Sequence, residues 1–172
     1  EELIEIRDKF GDERKTKIVA AEGEINVEDL IKEEQSVVAL THFGYIKRMP
    51  IDTYKSQRRG GKGIIGIATR EEDFVKQIFT ASTHDTILFF SNKGKLYRLR
   101  GYEIPEAGRT ARGTAIVNLL SLDPGEKISA IIPIQNFAEG KYLLMATKNG
   151  LIKKTALNEY NSKRKTGLQA IT

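Results

Sequence analysis

The sequence predicts an all-β protein of propeller-like blades, each with about four short antiparallel strands, preceded by a short N-terminal helix. Three observations predict this class. A pattern of strand, tight turn and strand recurs, its apolar runs are short, and glycines mark its turns. Short antiparallel strands at regular spacing are typical of propeller blades. Because the chain has no tryptophan, a WD40 blade is disfavoured, and nothing supports a kelch blade.

Three glycines set the register of the repeat. Gly44, Gly94 and Gly150 are 50 and 56 residues apart. Each follows four apolar residues and a hydroxyl residue, and each precedes an aliphatic residue by two positions and a cation by four. The apolar runs are 37–40, 87–90 and 143–146. This pattern predicts three hairpins.

A second glycine follows each hairpin, at Gly63, Gly113 and Gly167. The runs after the first two of these, 64–67 and 115–117, predict a third strand in each unit. Further strands are expected over 79–82 and 128–134. The third unit ends before its last strand, giving about two and a half blades. We therefore expect a piece of a larger toroid, or an open edge that pairs with another copy.

The N-terminal part has a different composition. Residues 1–10 have apolar residues at helical spacing and predict a helix that Gly11 ends. Residues 18–21 predict a strand, and 27–31 a helical turn within an acidic connector.

Charge is distributed unevenly along the chain. Residues 1–35 carry 6 Lys/Arg and 12 Asp/Glu, a net charge of −6, whereas residues 36–172 carry 22 and 11, a net charge of +11. This asymmetry favours an anionic partner for the larger part. The absence of cysteine excludes disulfides and thiolate chemistry and suits a reducing cytoplasm. No apolar run approaches the roughly 20 residues of a membrane span, and the N-terminus does not resemble a signal peptide.

Residues 57–63 read Gln-Arg-Arg-Gly-Gly-Lys-Gly and are the strongest functional signal. Glycine allows close backbone approach, and the cations suit phosphate oxygens. A plain surface turn is the alternative. A nucleotide-binding P-loop is a poor fit, because Ser56 and Gly63 stand where glycine and Ser or Thr are needed.

Weaker cation clusters precede the second glycine in the other units, at 109–112 and 163–165. They predict a basic belt along one edge of the blades, where a polyanion would bind. No helix-turn-helix, zinc-finger or RNP-type pattern is visible, so contacts should be to phosphates, insensitive to sequence and strongly salt-dependent.

These residues together resemble the A subunit family of bacterial DNA gyrase. The heptad matches that family's box motif in full, and 40–48, 82–85 and 117–120 are also similar to it. The resemblance implies a six-bladed β-pinwheel that wraps duplex DNA. An intact box disfavours the related A subunit of topoisomerase IV, whose box is degenerate or missing. A basic scaffold that binds an acidic protein is a further alternative.

The resemblance also implies a domain organisation. Residues 1–10 would end the helical arm of the breakage–reunion domain, and 11–35 would be a linker with one strand. Blade 1 would span 36–83, blade 2 would span 84–140, and an incomplete blade 3 would span 141–172.

The implied activity belongs to a holoenzyme. Gyrase A and B subunits, two of each, supercoil closed circular DNA negatively, using ATP and Mg²⁺ through the B subunit. None of the six tyrosines lies in a motif like that of the active-site tyrosine. We therefore expect no catalytic residue, cofactor or metal in this chain, no activity of the chain alone, and a cytoplasmic location.

The predicted DNA-binding residues form two groups. The box consists of Gln57, Arg58, Arg59, Gly60, Gly61, Lys62 and Gly63. The predicted rim consists of Lys47, Arg48, Arg98, Arg100, Arg109, Arg112, Lys153, Lys154, Lys163, Arg164 and Lys165.

Other candidate chemistry is sparse. His42 and His84 have no ligand spacing, so we expect neither catalysis nor metal binding from them. The acidic run 71–73 is expected to cap a strand or loop as solvated charge rather than bind a metal.

Overall fold

The structure is a computed structural model that describes residues 1–13, 15–18, 26–53, 72–162, 164 and 166–172. These residues form two compact units, 1–30 and 31–172. The predicted box at 57–63, the strand-like run at 64–67, Lys163 and Lys165 lie outside the described residues.

The first unit contains the predicted N-terminal helix, α1 (Glu2–Phe10). Acidic residues in its first turn and basic residues in its last complement the helix dipole. None of its residues is buried. The expected helical turn is a 3₁₀ turn over Val27–Leu30. Ile18 belongs to no strand, and the other three residues of the strand expected over 18–21 lie outside the described residues. No helix among the described residues is long and apolar enough to cross a membrane.

The second unit is built from antiparallel sheets, which confirms the predicted class. Its strands are β1 (Gln35–Thr41), β2 (Tyr45–Pro50), β3 (Val75–Ser82), β4 (Thr86–Ser91), β5 (Lys95–Arg100), β6 (Thr114–Ala115), β7 (Ile128–Ile134), β8 (Tyr142–Ala146), β9 (Ile152–Ala156) and β10 (Leu168–Gln169). The first sheet has the order β3-β1-β2-β6, the second β7-β4-β5-β10, and the third consists of β8 and β9.

The three predicted hairpins are confirmed. Gly44, Gly94 and Gly150 have φ values of 85°, 72° and 85°, which favour glycine. Each glycine N–H donates to the carbonyl three residues before it, where the hydroxyl residue of the repeat lies. That hydroxyl also accepts the N–H four residues later, for example from Tyr45 to Thr41 Oγ1 at 3.1 Å. The recurring hydroxyl therefore closes the turn.

One strand assignment needs correction. Residues 115–117 were expected to form a strand of their own unit, but β6 pairs with β2 of the preceding unit, through Tyr45↔Ala115 and Ile46↔Thr114. The chain then turns into a 3₁₀ helix over Ile116–Asn118, because the Ile116 N–H donates to the Gly44 carbonyl and its side chain is buried. The strand β10 pairs with β5 in the same way.

The core explains why the predicted strands lack polar alternation. Ile87 and Phe89 of β4 join a cluster with residues of β1 and β2, whereas Leu88 joins a second cluster with residues of β5 and the third repeat. A strand buried on both faces is apolar throughout. Ile104 and Tyr160, which share a repeat position, are both buried, as expected for packing residues.

Candidate nucleic-acid interface

The cations on the second strand of each hairpin are largely occupied by protein partners. The Arg48 side chain is 12% exposed and lies between two carboxylates, with Nη1 at 3.4 Å from Glu34 Oε1 and Nη2 at 3.3 Å from Glu106 Oε2. Its Nε also donates to the Ile104 carbonyl. Arg48 therefore joins the connector, β2 and the following loop.

Arg98 and Arg100 occupy similar positions on β5. Arg98 Nη1 donates to Asn161 Oδ1 at 3.0 Å, and burial together with the nearby Arg100 lowers the pKa of Arg98. Arg100 Nη1 donates to the His84 carbonyl and to Thr86 Oγ1, both at 3.0 Å. Both arginines are half-buried and hold strand ends and loops in place.

Lys47, one of the cations predicted for the rim, is buried beneath a loop. Its residue is 2% exposed, and its Nζ donates to three backbone carbonyls, those of Gly108 at 3.1 Å, Arg109 at 2.8 Å and Ala111 at 2.7 Å. An ammonium has three N–H donors, and all three are used here. The Lys47 side chain therefore ties a loop to β2.

The basic loop between β5 and β6 presents two cations to its surface. Arg112 is exposed, and its guanidinium lies 5.1 Å from the Tyr45 ring centroid. Arg109 is half-buried. In the third unit Arg164 is exposed, and its N–H donates to Ser162 Oγ. Of these three arginines, Arg112 and Arg164 are exposed and Arg109 is half-buried.

The cations of β9 are exposed but also have partners. Lys153 Nζ donates to the Ala170 carbonyl at 2.9 Å. Lys154 Nζ lies 4.1 Å from the Tyr142 ring centroid, within cation–π range. The third sheet thus presents Lys154 beside the exposed Tyr142 ring.

The two histidines contact an aromatic ring and a backbone carbonyl, whereas Asp73 differs from the solvated charge expected for 71–73. His42 stacks on Phe74 with ring centroids 4.8 Å apart, and His84 Nε2 lies 2.9 Å from the Ile31 carbonyl oxygen. The described residues contain no group of three side chains that could hold a metal. Asp73 was expected to be solvated, but it is buried and accepts the N–H groups of Phe43 and Phe74.

Glu126 is a second buried acid, and it is not among the residues predicted from the sequence. Glu126 stands 53 residues after Asp73, and its Oε2 accepts the Tyr97 hydroxyl at 2.9 Å and the Asp123 N–H at 2.8 Å. Burial, and then the hydrogen bond to Glu126, raise the pKa of Tyr97. The shared position of the two acids before β3 and β7 was the signal that could have identified them.

Comparison with known proteins matches this array of sheets to one family. The model of the "DNA gyrase C-terminal domain, beta-propeller" matches residues 35–82, 85–135 and 141–172. The A subunit of DNA gyrase from Clostridium acetobutylicum is 58% identical over 171 residues, which are 99% of this chain and 21% of that protein. The chain thus spans about a fifth of this relative's length.

Two solved structures share the fold. The structure of a DNA gyrase A C-terminal domain matches with a TM-score of 0.63 and 30% identity, over 81% of this chain and 44% of that one. The C-terminal domain of a DNA topoisomerase IV matches with a TM-score of 0.66 and 28% identity, over 81% of this chain and 42% of that one. Because the family model covers all three repeats, this chain belongs to the DNA gyrase C-terminal domain family.

Proposed function

We propose that this chain is the DNA-binding and DNA-wrapping part of a DNA gyrase A subunit. The observation that carries the proposal is the intact Gln-Arg-Arg-Gly-Gly-Lys-Gly heptad at 57–63, in a chain that belongs to the gyrase C-terminal domain family. The net charge of +11 over residues 36–172 and the surface arginines of the basic loops support it. Cations facing a duplex release counterions and bind phosphates without reading sequence.

In this proposal the chain works within a larger enzyme. Duplex DNA wraps along the basic edge of the blades, and the wrap presents a segment for strand passage. Two A and two B subunits form the holoenzyme, and ATP and Mg²⁺ act through the B subunit in the cytoplasm. The active-site tyrosine lies in another part of the A subunit, so the chain alone has no topoisomerase activity.

The proposed domain boundaries follow the repeat. Residues 1–10 belong to the helical arm and 11–35 to the linker, followed by blades over 36–83, 84–140 and 141–172. The fourth strand of each of the first two sheets comes from the next repeat. Each blade is thereby tied to its successor by backbone hydrogen bonds.

Topoisomerase IV is the second candidate, because the chain is nearly as similar to its C-terminal domain as to that of gyrase. The intact heptad favours gyrase. Supercoiling separates the two proposals. When ATP and the gyrase B subunit are supplied, the full-length protein carrying this chain should supercoil relaxed DNA, whereas relaxation and decatenation alone would support topoisomerase IV.

The salt dependence of duplex binding tests the DNA-binding role of the heptad. Replacing Arg58, Arg59 and Lys62 together with alanine removes three cations. If all three bind phosphates, the slope of log K against log salt for duplex binding should decrease by about 2.7. Fluorescence anisotropy at low and moderate salt, roughly 50 to 200 mM, measures the slope. An unchanged slope would contradict a DNA-binding role for the heptad.

The matched control removes the same charge elsewhere. Replacing Lys9, Lys15 and Lys17 with alanine also lowers the net charge by three, but in the acidic N-terminal part. Its slope should stay at the wild-type value. Equal slope losses in both variants would indicate a general charge effect rather than a localised site.

A further inference from the structure

The Lys47 ammonium organises a loop that belongs to the next repeat. Its three N–H groups donate to carbonyls of Gly108, Arg109 and Ala111 within 3.1 Å, and it is almost completely buried. Three donors converging on one short loop fix the direction of three peptide planes. Lys47 therefore determines which side of this loop carries its carbonyls.

The opposite side of the loop carries its amides. In a trans peptide the C=O of one residue and the N–H of the next point in opposite directions, and the described residues contain no cis bond. The carbonyls at 108, 109 and 111 face Lys47, so the N–H groups of Arg109, Thr110 and Arg112 point away from it. In the described part of the chain none of these three N–H groups has an acceptor, whereas the Ala111 N–H donates to the Gly108 carbonyl.

The ends of the loop are held close to β2. Gly113 has a φ of 90°, and a Cβ there would lie 2.5 Å from the Ile46 carbonyl oxygen and 3.0 Å from Lys47 Cβ. The exposed Arg112 lies above Tyr45 beside it. The nearest acid of the loop, Glu106, is paired with Arg48. Outward amides beside two arginines, in a loop whose Glu106 is paired, are donors of the kind that bind anions.

We propose that Lys47 is a positioning residue that folds Gly108–Gly113 into a binding loop for one phosphate of the DNA backbone. Its ammonium does not touch the phosphate but turns the amides of Arg109, Thr110 and Arg112 towards it. This proposal rests on the proposed function, because it assigns a DNA phosphate as the ligand.

Among the described residues, the positions equivalent to Lys47 in the other two repeats have different partners. The residue three positions after the hairpin glycine is Tyr97 in the second repeat and Lys153 in the third. Tyr97 donates to Glu126, and Lys153 donates to the single carbonyl of Ala170. Among the described residues only Lys47 places three donors under a basic loop.

Amide shifts in the unaltered chain test the proposal directly. A ¹⁵N-labelled chain is titrated with a short duplex of arbitrary sequence. The amide signals of Arg109, Thr110 and Arg112 should move downfield and more than that of Ala111. If the duplex binds and these three signals stay in place, the proposal is overturned. If inorganic phosphate moves them and the duplex does not, the assignment to DNA is overturned.

Substitutions distinguish the effect of Lys47 on the loop conformation from the effect of its positive charge. Lys47→Met should lower the slope of log K against log salt for duplex binding towards that of the Arg109→Ala/Arg112→Ala variant. That slope should be smaller than the wild-type slope by about 0.9, for the one phosphate of the loop. Combining all three changes should weaken binding less than twofold beyond Arg109→Ala/Arg112→Ala. Lys17→Met removes the same charge from the first unit and should leave the slope unchanged.

Two results would contradict the positioning role. Additive effects of Lys47→Met and the arginine changes would show that Lys47 acts independently of the loop. If the Lys47→Met variant folds, has a lower Tm and still binds the duplex with wild-type affinity and salt slope, then Lys47 only stabilises the fold. If Lys47→Met does not fold, the amide titration of the unaltered chain decides. If the unaltered chain does not bind duplex DNA at all, the proposed function itself is refuted.

Discussion

At the scale of single residues, buried charges connect distant segments. Asp73 accepts the N–H groups of Phe43 and Phe74, both at 3.0 Å, and so joins the first hairpin turn to the start of β3. Burial alone would raise the pKa of Asp73. Hydrogen bonds from the Thr41 hydroxyl and from these two N–H groups outweigh burial, so its pKa lies below the ordinary value.

We expect Asp73→Ala to destabilise the chain by about 1–3 kcal/mol, because two backbone N–H groups lose their buried acceptor. Urea unfolding measures the change. The exposed neighbour Glu72 provides the control, since Glu72→Ala should stay within about 0.5 kcal/mol of wild type. Equal effects of the two substitutions would contradict the role of Asp73 as a buried acceptor that joins the hairpin turn to β3.

The same acid predicts a pH dependence. Because the folded-state pKa of Asp73 is depressed, its contribution is fully present above its unfolded pKa of about 4. It is lost as the pH falls through the lower folded-state pKa. The stability difference between wild type and Asp73→Ala should therefore be larger at neutral pH than in acid, at about pH 3. A difference that grows on acidification would contradict this account.

At the scale of elements, hairpin glycines have one conformation but different surroundings. Gly94 and Gly150 both have positive φ. A Cβ at Gly94 would fall on the Ile171 carbonyl oxygen, whereas none of the described atoms lies within 4 Å of one at Gly150. The Gly94 carbonyl also accepts the N–H groups of Ala170 and Ile171. The second hairpin is therefore a docking point for the chain that follows β10.

Replacing each of these two glycines with alanine should distinguish the cost of a positive φ from the cost of a clash with neighbouring backbone. Gly150→Ala should cost about 1–2 kcal/mol through the left-handed conformation alone. Gly94→Ala should cost about 1–3 kcal/mol more, because backbone must move to admit the methyl group. Thermal or urea unfolding measures both variants. Equal costs would show that the segment after β10 does not pack on the hairpin.

The third sheet differs from the other two in what covers it. In the first and second sheets, β3 and β7 pair along the outer side of β1 and β4. In the described residues no strand pairs with the equivalent side of β8, and Leu144 and Ile152 are 72% and 70% exposed. Leu143 and Met145, on the other face of β8, pack on the second core cluster. Packing of each sheet face therefore determines whether the same apolar pattern is buried.

At the scale of the whole molecule, charge is separated along the chain. Residues 1–35 carry −6 and residues 36–172 carry +11. The separation favours DNA binding by the larger part over the acidic N-terminal part. Smooth bending of a short duplex costs about 1–6 kcal/mol, which has to be offset by phosphate contacts distributed along the blades.

We expect the chain to wrap DNA measurably without any enzymatic activity. When nicked circular DNA is ligated in its presence, the linking number should shift in proportion to the protein added. Gel electrophoresis of the ligated topoisomers measures the shift. The Arg58→Ala/Arg59→Ala/Lys62→Ala variant should produce a smaller shift at equal DNA occupancy. No shift under saturating binding would mean that the chain binds DNA without wrapping it.

The repeat, the hairpins and the fold class can be predicted from the sequence alone. Those features depend on local chemistry, namely glycine at a positive φ, a hydroxyl that closes the turn, and apolar strands buried on both faces. The heptad and the cations at Arg109, Arg112 and Arg164 can likewise be identified from composition and position in the repeat.

Which strands share a sheet, and which cations remain available, depends on the folded arrangement of the chain. Pairing of β6 with β2 joins residues far apart in the chain, such as Tyr45 and Ala115, and no local pattern encodes the partner. Lys47 and Arg112 are both basic residues of the repeat, yet one is buried under a loop and the other is exposed. The physical reason is that burial and hydrogen bonding are properties of assembled neighbours, whereas a sequence shows each cation alone.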